Sequence, residues 1–210
     1  MRPWPPAMKS EPERAEEILR FWFGPRPANG APPTERMRFW FGGDAETDQL
    51  IRHRFANDLP RAMAGEYRHW RETPRGTLAL ILLLDQFPRN IHRQTPAAYG
   101  CDGCALEIAL EGLARGQDRG LAVVERAFFY LPLEHSEDAA LQRRSVALFT
   151  RLLEEAPPDL KKMCEGFLDY AVRHAEIIER FGRFPHRNAV LGRTSSVEEA
   201  EFLRQPGSSF

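Results

Sequence analysis

Leu78-Ala-Leu-Ile-Leu-Leu-Leu-Asp85-Gln-Phe-Pro-Arg-Asn-Ile-His-Arg93 decides how this chain folds. It opens with an unbroken run of apolar residues, Leu78 to Leu84, far short of the roughly 20 needed to span a membrane. No polar residue alternates with them, so the run fits a helix buried on all sides rather than a half-buried strand. The helix is expected over Arg75 to about Gln86, because Pro88 disfavours helical geometry in the residue before it. Asp85 to Arg93 is then a loop crowded with polar groups. Much of it returns as Gly182-Arg-Phe-Pro-His-Arg-Asn-Ala-Val-Leu-Gly-Arg193: a Phe-Pro step, then Arg-Asn, then a further Arg, twice in one chain.

Upstream, Ser10 and Glu13 make a capping box for a first helix. Ala15, Ile18, Leu19, Trp22 and Phe23 follow at helical spacing, with Gly24 at the end. A linker, Pro25 to Pro33, leads to a short helix from Thr34. Arg-Phe-Trp-Phe-Gly occurs at 20–24 and again at 38–42. Two aromatic helix ends meeting in one core is the simpler reading, an aromatic ligand cage the other. Asp44 caps a third helix with Leu50, Ile51, Phe55, Leu59 and Met63 on its apolar face, kinked or broken at Pro60. Gly65 to Pro74, holding Tyr67 and Trp70, is loop or frayed helix.

Downstream, Thr95-Pro96 opens a fifth helix to about Arg115. Gly116 to Gly120 is a turn, and a sixth helix, Leu121 to Leu131, stops at Pro132. Ser136 caps a seventh helix to about Glu155. An eighth runs from about Asp159 to Phe181 and ends at Gly182. Ser196 and Glu199 box a last short helix before the tail, Pro206-Gly-Ser-Ser-Phe210. No segment alternates with period two. The chain therefore reads as all-α, about eight or nine helices in an antiparallel stack. A strict repeat of about 34 residues is not visible.

The chain's 210 residues suit one domain, read here as 11–210 behind a disordered lead-in, 1–10, with Met8 an alternative start to Met1. That lead-in has no apolar core and is not a signal peptide. The net charge of −1, without a long single-sign run, gives no bulk attraction to nucleic acid or membrane. Three sparse cysteines, Cys101, Cys104 and Cys164, fit a reducing cytoplasm. Cys101-Asp-Gly-Cys104 has no second pair and no strand before it, so two ordinary thiols one turn apart is the simpler reading.

If the helices alternate up and down, the fourth, sixth and eighth end on one face. Their exits are the polar loops Asp85–Arg93, Leu133–Asp138 and Arg183–Arg193. The converging candidates are Asp85, Arg89, Asn90, His92, Arg93, Glu134, His135, His186, Arg187, Asn188 and Arg193. Arg forks suit oxyanions, which they hold bidentately. Asn adds neutral donors, and Glu134 or Asp85 would orient a histidine, His135 or His186, for proton transfer. The simplest alternative is a purely structural network, with Arg capping helix ends and pairing with acids. His174, four residues beyond Tyr170 on an apolar stripe, reads as a core histidine. No His pair has zinc-helix spacing and no Gly-rich phosphate loop is present, so neither metal nor cofactor is expected.

Leu-Leu-Asp-Gln-Phe-Pro-Arg-Asn (83–90), Phe-Tyr-Leu-Pro-Leu-Glu-His-Ser-Glu-Asp (129–138), Arg-Phe-Gly-Arg-Phe-Pro-His-Arg-Asn (180–188) and Pro-Gly-Ser-Ser-Phe (206–210) resemble a mainly bacterial family. It is known as the domain of unknown function nine-two-four family, and the resemblance runs from about Ala15 to the end. It implies an all-helical, tetratricopeptide-like fold and brings no activity, cofactor or catalytic residue. Pro60 and the Cys-Asp-Gly-Cys segment depart from the family pattern. Two expectations follow. The first is a small anionic ligand at the three-loop face, with His135 or His186 in proton transfer if the protein is an enzyme. The second is a tetratricopeptide-like module that docks a peptide or protein.

Overall fold

Every residue from Gly76 to Pro88 is buried, as an apolar run with no exposed face requires. The computed structural model describes residues 11–25 and 34–208. The expected lead-in, the Ser10 cap, most of the 25–33 linker and the final Phe210 lie outside the described residues. Among those described there is no strand, and the chain is all-α. The helices are α1 (Glu11–Phe23), α2 (Thr34–Phe41), α3 (Ala45–Phe55), α4 (Asp58–Met63), α5 (Pro74–Ile81), α6 (Phe87–Ile91), α7 (Asp102–Ala114), α8 (Val123–Glu134), α9 (Ala139–Glu155), α10 (Lys161–Phe181) and α11 (Val197–Phe202). α1 lies on α5, α3 on α6, α5 on α7, and α9 between α8 and α10.

The central rod is longer than its proline suggests. α5 does not end before Pro88 but widens into a π-turn, Leu82–Gln86, and resumes as α6 to Ile91. The Phe87 N–H donates to Leu82 O, five residues back. Pro88 then sits in the first turn of the restarted helix, where no intrahelical N–H is needed. Asp85 is therefore inside a helix and not in a loop, and such wide turns concentrate at functional sites. The Arg52 guanidinium donates to Ile91 O and caps the rod's end.

Pro132 likewise fails to stop its helix. α8 runs on to Glu134 with every residue from Val124 to Glu134 buried, and that packing outweighs the missing hydrogen bond, a cost of about 3 kcal/mol. Asp138, not Ser136, caps α9, accepting from the N–H of Ala140 and Leu141 at 2.8 and 2.9 Å. The expected fifth helix divides at Gly100: a short 3-10 turn, Pro96–Ala98, precedes α7. The third helix breaks just before Pro60, which sits in the first turn of α4. Ile51, Phe55 and Leu59 are buried as expected, whereas Leu50 and Met63 are exposed.

The repeated pentapeptide makes core. Trp22 is fully buried against Phe39, Phe87 and Phe128, and Trp40 lies 4.8 Å from Phe128 between ring centroids. Trp40 Nε1 donates to Trp22 O at 2.8 Å, joining the two copies. At the other end, Gly182 stops α10 with φ +69°, and a Cβ there would meet nothing within 4 Å. Gly182→Ala should therefore cost only the left-handed backbone penalty, about 1–2 kcal/mol. Urea unfolding of the variant checks this, and a larger loss would mean a hidden steric clash.

Candidate functional site

Asp85 is completely buried in the π-turn, and three groups hold its carboxylate. Gln86 Nε2 donates to Oδ2 at 2.6 Å. His135 Nδ1 lies 2.7 Å from Oδ1, and Arg89 NH1 is 3.4 Å from the same oxygen. Burial alone would push such a carboxyl up, but Arg89 and His135 outweigh it and hold Asp85 well below the usual carboxylate range. An ionised carboxylate only accepts, so the His135 proton sits on Nδ1 and Nε2 carries the lone pair. His135 is the C-cap of α8, and its side chain keeps 13% of its surface in solvent. Among the described residues no group hydrogen-bonds to Nε2. A buried aspartate behind a histidine with one free nitrogen is the arrangement of a general base.

Arg89, one turn beyond Asp85, donates to Asp85 O at 2.6 Å and bidentately to Asp102 at 2.9 and 3.0 Å. Arg187 shares that carboxylate, its NH1 donating at 3.3 Å to the Oδ2 that Arg89 also reaches. Its guanidinium carbon lies 4.8 Å from the Tyr99 ring centroid and 4.5 Å from that of Phe184, a cation–π setting that holds the fork in place. Arg187 Nε is buried and has no hydrogen-bond partner. A buried N–H left unpaired is costly, on the order of 1–3 kcal/mol.

Behind the dyad, Glu134 ends α8 in full burial. Burial, then the neighbouring Asp85 charge, push its carboxyl up to about 8, so at pH 7 it is mostly the neutral acid. His174 on α10 lies 3.4 Å from Glu134 and 2.8 Å from Tyr170 O. A carbonyl only accepts, so the His174 proton is on Nδ1. Burial pushes His174 down to about 3, and burial with Arg187 pushes His186 down to about 4. The His135 ring is 6.3 Å from His174, and Phe184 stands 5.4 Å from His174 and 5.6 Å from His186.

The structure thus brings together Asp85, Arg89, Glu134, His135, His186 and Arg187. It takes others elsewhere. Asn90 and Arg93 bind Asp48 of α3, with contacts of 2.9 Å from Asn90 and 2.5 and 2.7 Å from Arg93. His92 is the C-cap of α6. Arg193 grips Glu137 at 2.7 and 3.0 Å, and Glu137 also accepts the Phe184 N–H, so this pair braces the loop that carries Arg187. Asn188 turns to Ser195 and Glu199. Two surface depressions of about 380 and 390 Å³ border Phe21 and include no residue of this cluster. They gather no buried titratable groups, whereas the Asp85–His135 face does, and site chemistry follows such groups rather than volume. Among the described residues no three His, Cys, Asp or Glu side chains could hold a metal ion, and no helix is long and apolar enough to cross a membrane.

A family model described as a bacterial protein of unknown function, DUF924, matches residues 18–207. The chain belongs to the DUF924 family. The solved structure of a protein of unknown function from Agrobacterium tumefaciens is similar to this DUF924 chain at 36% identity and a TM-score of 0.78. The match covers 93% of this chain and 99% of that one. No curated protein matches it.

Tyr99 and Asp102 of this DUF924 protein are site residues that the sequence does not single out, because the expected fifth helix, Thr95 to about Arg115, contains both. Gly100, between the Thr95-Pro96 turn and Asp102, is the signal that the helix begins only at Asp102 and that Tyr99 stands at a corner.

Proposed function

We propose that this DUF924 protein binds a small oxyanionic ligand on Arg187 and Arg89, with His135, oriented by Asp85, placed to exchange a proton with it. The observation that carries this reading is the Arg187 guanidinium: clamped between two rings, on one long contact to Asp102, with its Nε donor buried and unpaired. An oxyanion would take that donor and the neighbouring terminal nitrogen together, the bidentate geometry a guanidinium favours. Asp85 and the free Nε2 of His135 add the acid–base partner. A second reading, a lock for helix ends without a ligand, draws on the two-pronged pairing of Arg93 with Asp48 and of Arg193 with Glu137, and on Arg193 Nε being buried and unpaired like that of Arg187 although its terminal nitrogens are taken.

Calorimetric titration with acetate, comparing wild type with Arg187→Lys, separates the two. Lysine keeps the charge and loses the fork. The ligand reading expects at least a tenfold weaker acetate affinity in the variant, about 1.4 kcal/mol. Equal affinities, or no acetate binding by the wild type, would support the lock.

A further inference from the structure

The charges of this site are already matched before any ligand arrives. Arg89 stands between the carboxylates of Asp85 and Asp102, and Arg187 shares Asp102. Two guanidiniums face two carboxylates in largely buried positions. A further negative charge would therefore enter without a compensating positive one, and an uncompensated buried charge is expensive. Something in the cluster must gain a positive charge when an anion binds.

Three histidines are near. His174 already donates its Nδ1 proton to Tyr170 O and is enclosed by Glu134 and Phe184. A second proton there would sit on a nearly buried ring beside His135 and Arg187, and the Arg187 charge opposes it. His186 lies beside Arg187, whose charge opposes another cation. His135 differs from both. Asp85 sits 2.7 Å from its Nδ1 and would hold an imidazolium, while Nε2 has no described partner and can take a proton and present it to an anion. The charged and titratable groups that act on His135 are Asp85 and Arg89 from the central rod, Asp102 from α7, His174 from α10 and His186 from the loop after α10, with Glu134 next to it in the chain and Arg187 next to His186. In the empty site, burial and Arg89 keep His135 neutral against the pull of Asp85.

We infer that the site takes up its ligand as a monoanion together with one proton, the anion resting on Arg187 and the proton on Nε2 of His135. This rests on the anion reading above and sharpens its ligand class to a monoanionic oxyacid such as a carboxylate, bound with no net change in charge. The balance is one anion and one proton from solution, one new imidazolium N–H, and no bond broken.

Acetate, which is fully ionised above pH 6, is the probe. Calorimetry at pH 7 in two buffers of different ionisation enthalpy should report one proton taken up per acetate. The affinity should fall about tenfold per pH unit between pH 7 and 8.5. In His135→Gln both the proton uptake and the slope should vanish. Because that variant loses a buried partner of Asp85, ¹⁵N spectra of the wild type provide a second measure: acetate should move the His135 Nε2 signal to the protonated position. Acetate binding that depends on Arg187 but takes up no proton would overturn this inference and leave the anion site standing. A slope that survives in His135→Gln would also overturn it. No acetate binding by the wild type would overturn both readings.

Discussion

Asp85→Asn is expected to lower the unfolding free energy by about 3–5 kcal/mol at pH 7, the loss typical of removing one partner from a buried ion pair. Asparagine preserves the volume, so packing is not the cause. What goes is the charge that holds Arg89 and orients His135 from a completely buried position. The pH dependence carries the sign. Asp85 is held below its unfolded value, so its contribution is present above about pH 4, the unfolded range, and disappears as pH falls towards the depressed folded value. Urea unfolding of both proteins should therefore show a gap that is full at pH 7 and closes in strong acid. A gap under about 1 kcal/mol at pH 7 would mean that Asp102 alone satisfies Arg89 and that the dyad is not the organising pair.

Glu134→Gln is expected to act in the opposite direction. The Glu134 carboxyl is raised to about 8 by burial and by Asp85. The folded state thus holds its proton over the interval from the unfolded value, about 4.3, up to about 8, where the unfolded chain has released it. Stability from this group is fully present below about pH 4.3 and is lost as pH rises through that window. Glutamine removes the penalty. The variant should match the wild type near pH 4 and exceed it by on the order of 5 kcal/mol at pH 8.5, where the whole gap between the two values is expressed. Thermal unfolding from pH 4 to 9 reads this directly. A variant less stable than wild type at pH 8.5 would show that Glu134 is ionised in the fold and paired with His174. The histidines work at the other end: His174 and His186, held at about 3 and about 4, destabilise the fold as pH drops below about 6.5.

The all-α architecture was legible because it rests on periodicity alone. Ile18, Leu19 and Trp22 recur at helical spacing, and the Ser196–Glu199 capping box and the Gly182 stop are local chemistry that tertiary contacts leave intact. The convergence of Asp85, His135 and Arg187 was legible in outline from three polar segments following three helices. Its details were not. Proline rules predict helix ends at Pro88 and Pro132, yet burial on every side carries both helices through, one of them by widening a turn. That widened turn is why Asp85 is a buried helical residue and not a loop residue. Asn90 and Arg93 share its stretch of sequence, but further along the rod they meet α3, so Asp48 claims them. The role of Asp102 depends on two arginines 13 and 85 residues away in the chain, which no local pattern encodes.

The most direct test is a crystal grown in sodium perrhenate, a monoanionic oxyanion, and measured at the rhenium edge. The expected result is an anomalous peak within hydrogen-bonding distance of Arg187 Nε and facing Nε2 of His135, absent in crystals of Arg187→Lys. Perrhenate found only at lattice contacts and helix N-termini, with Arg187 still turned to Asp102 alone, would contradict the anion site.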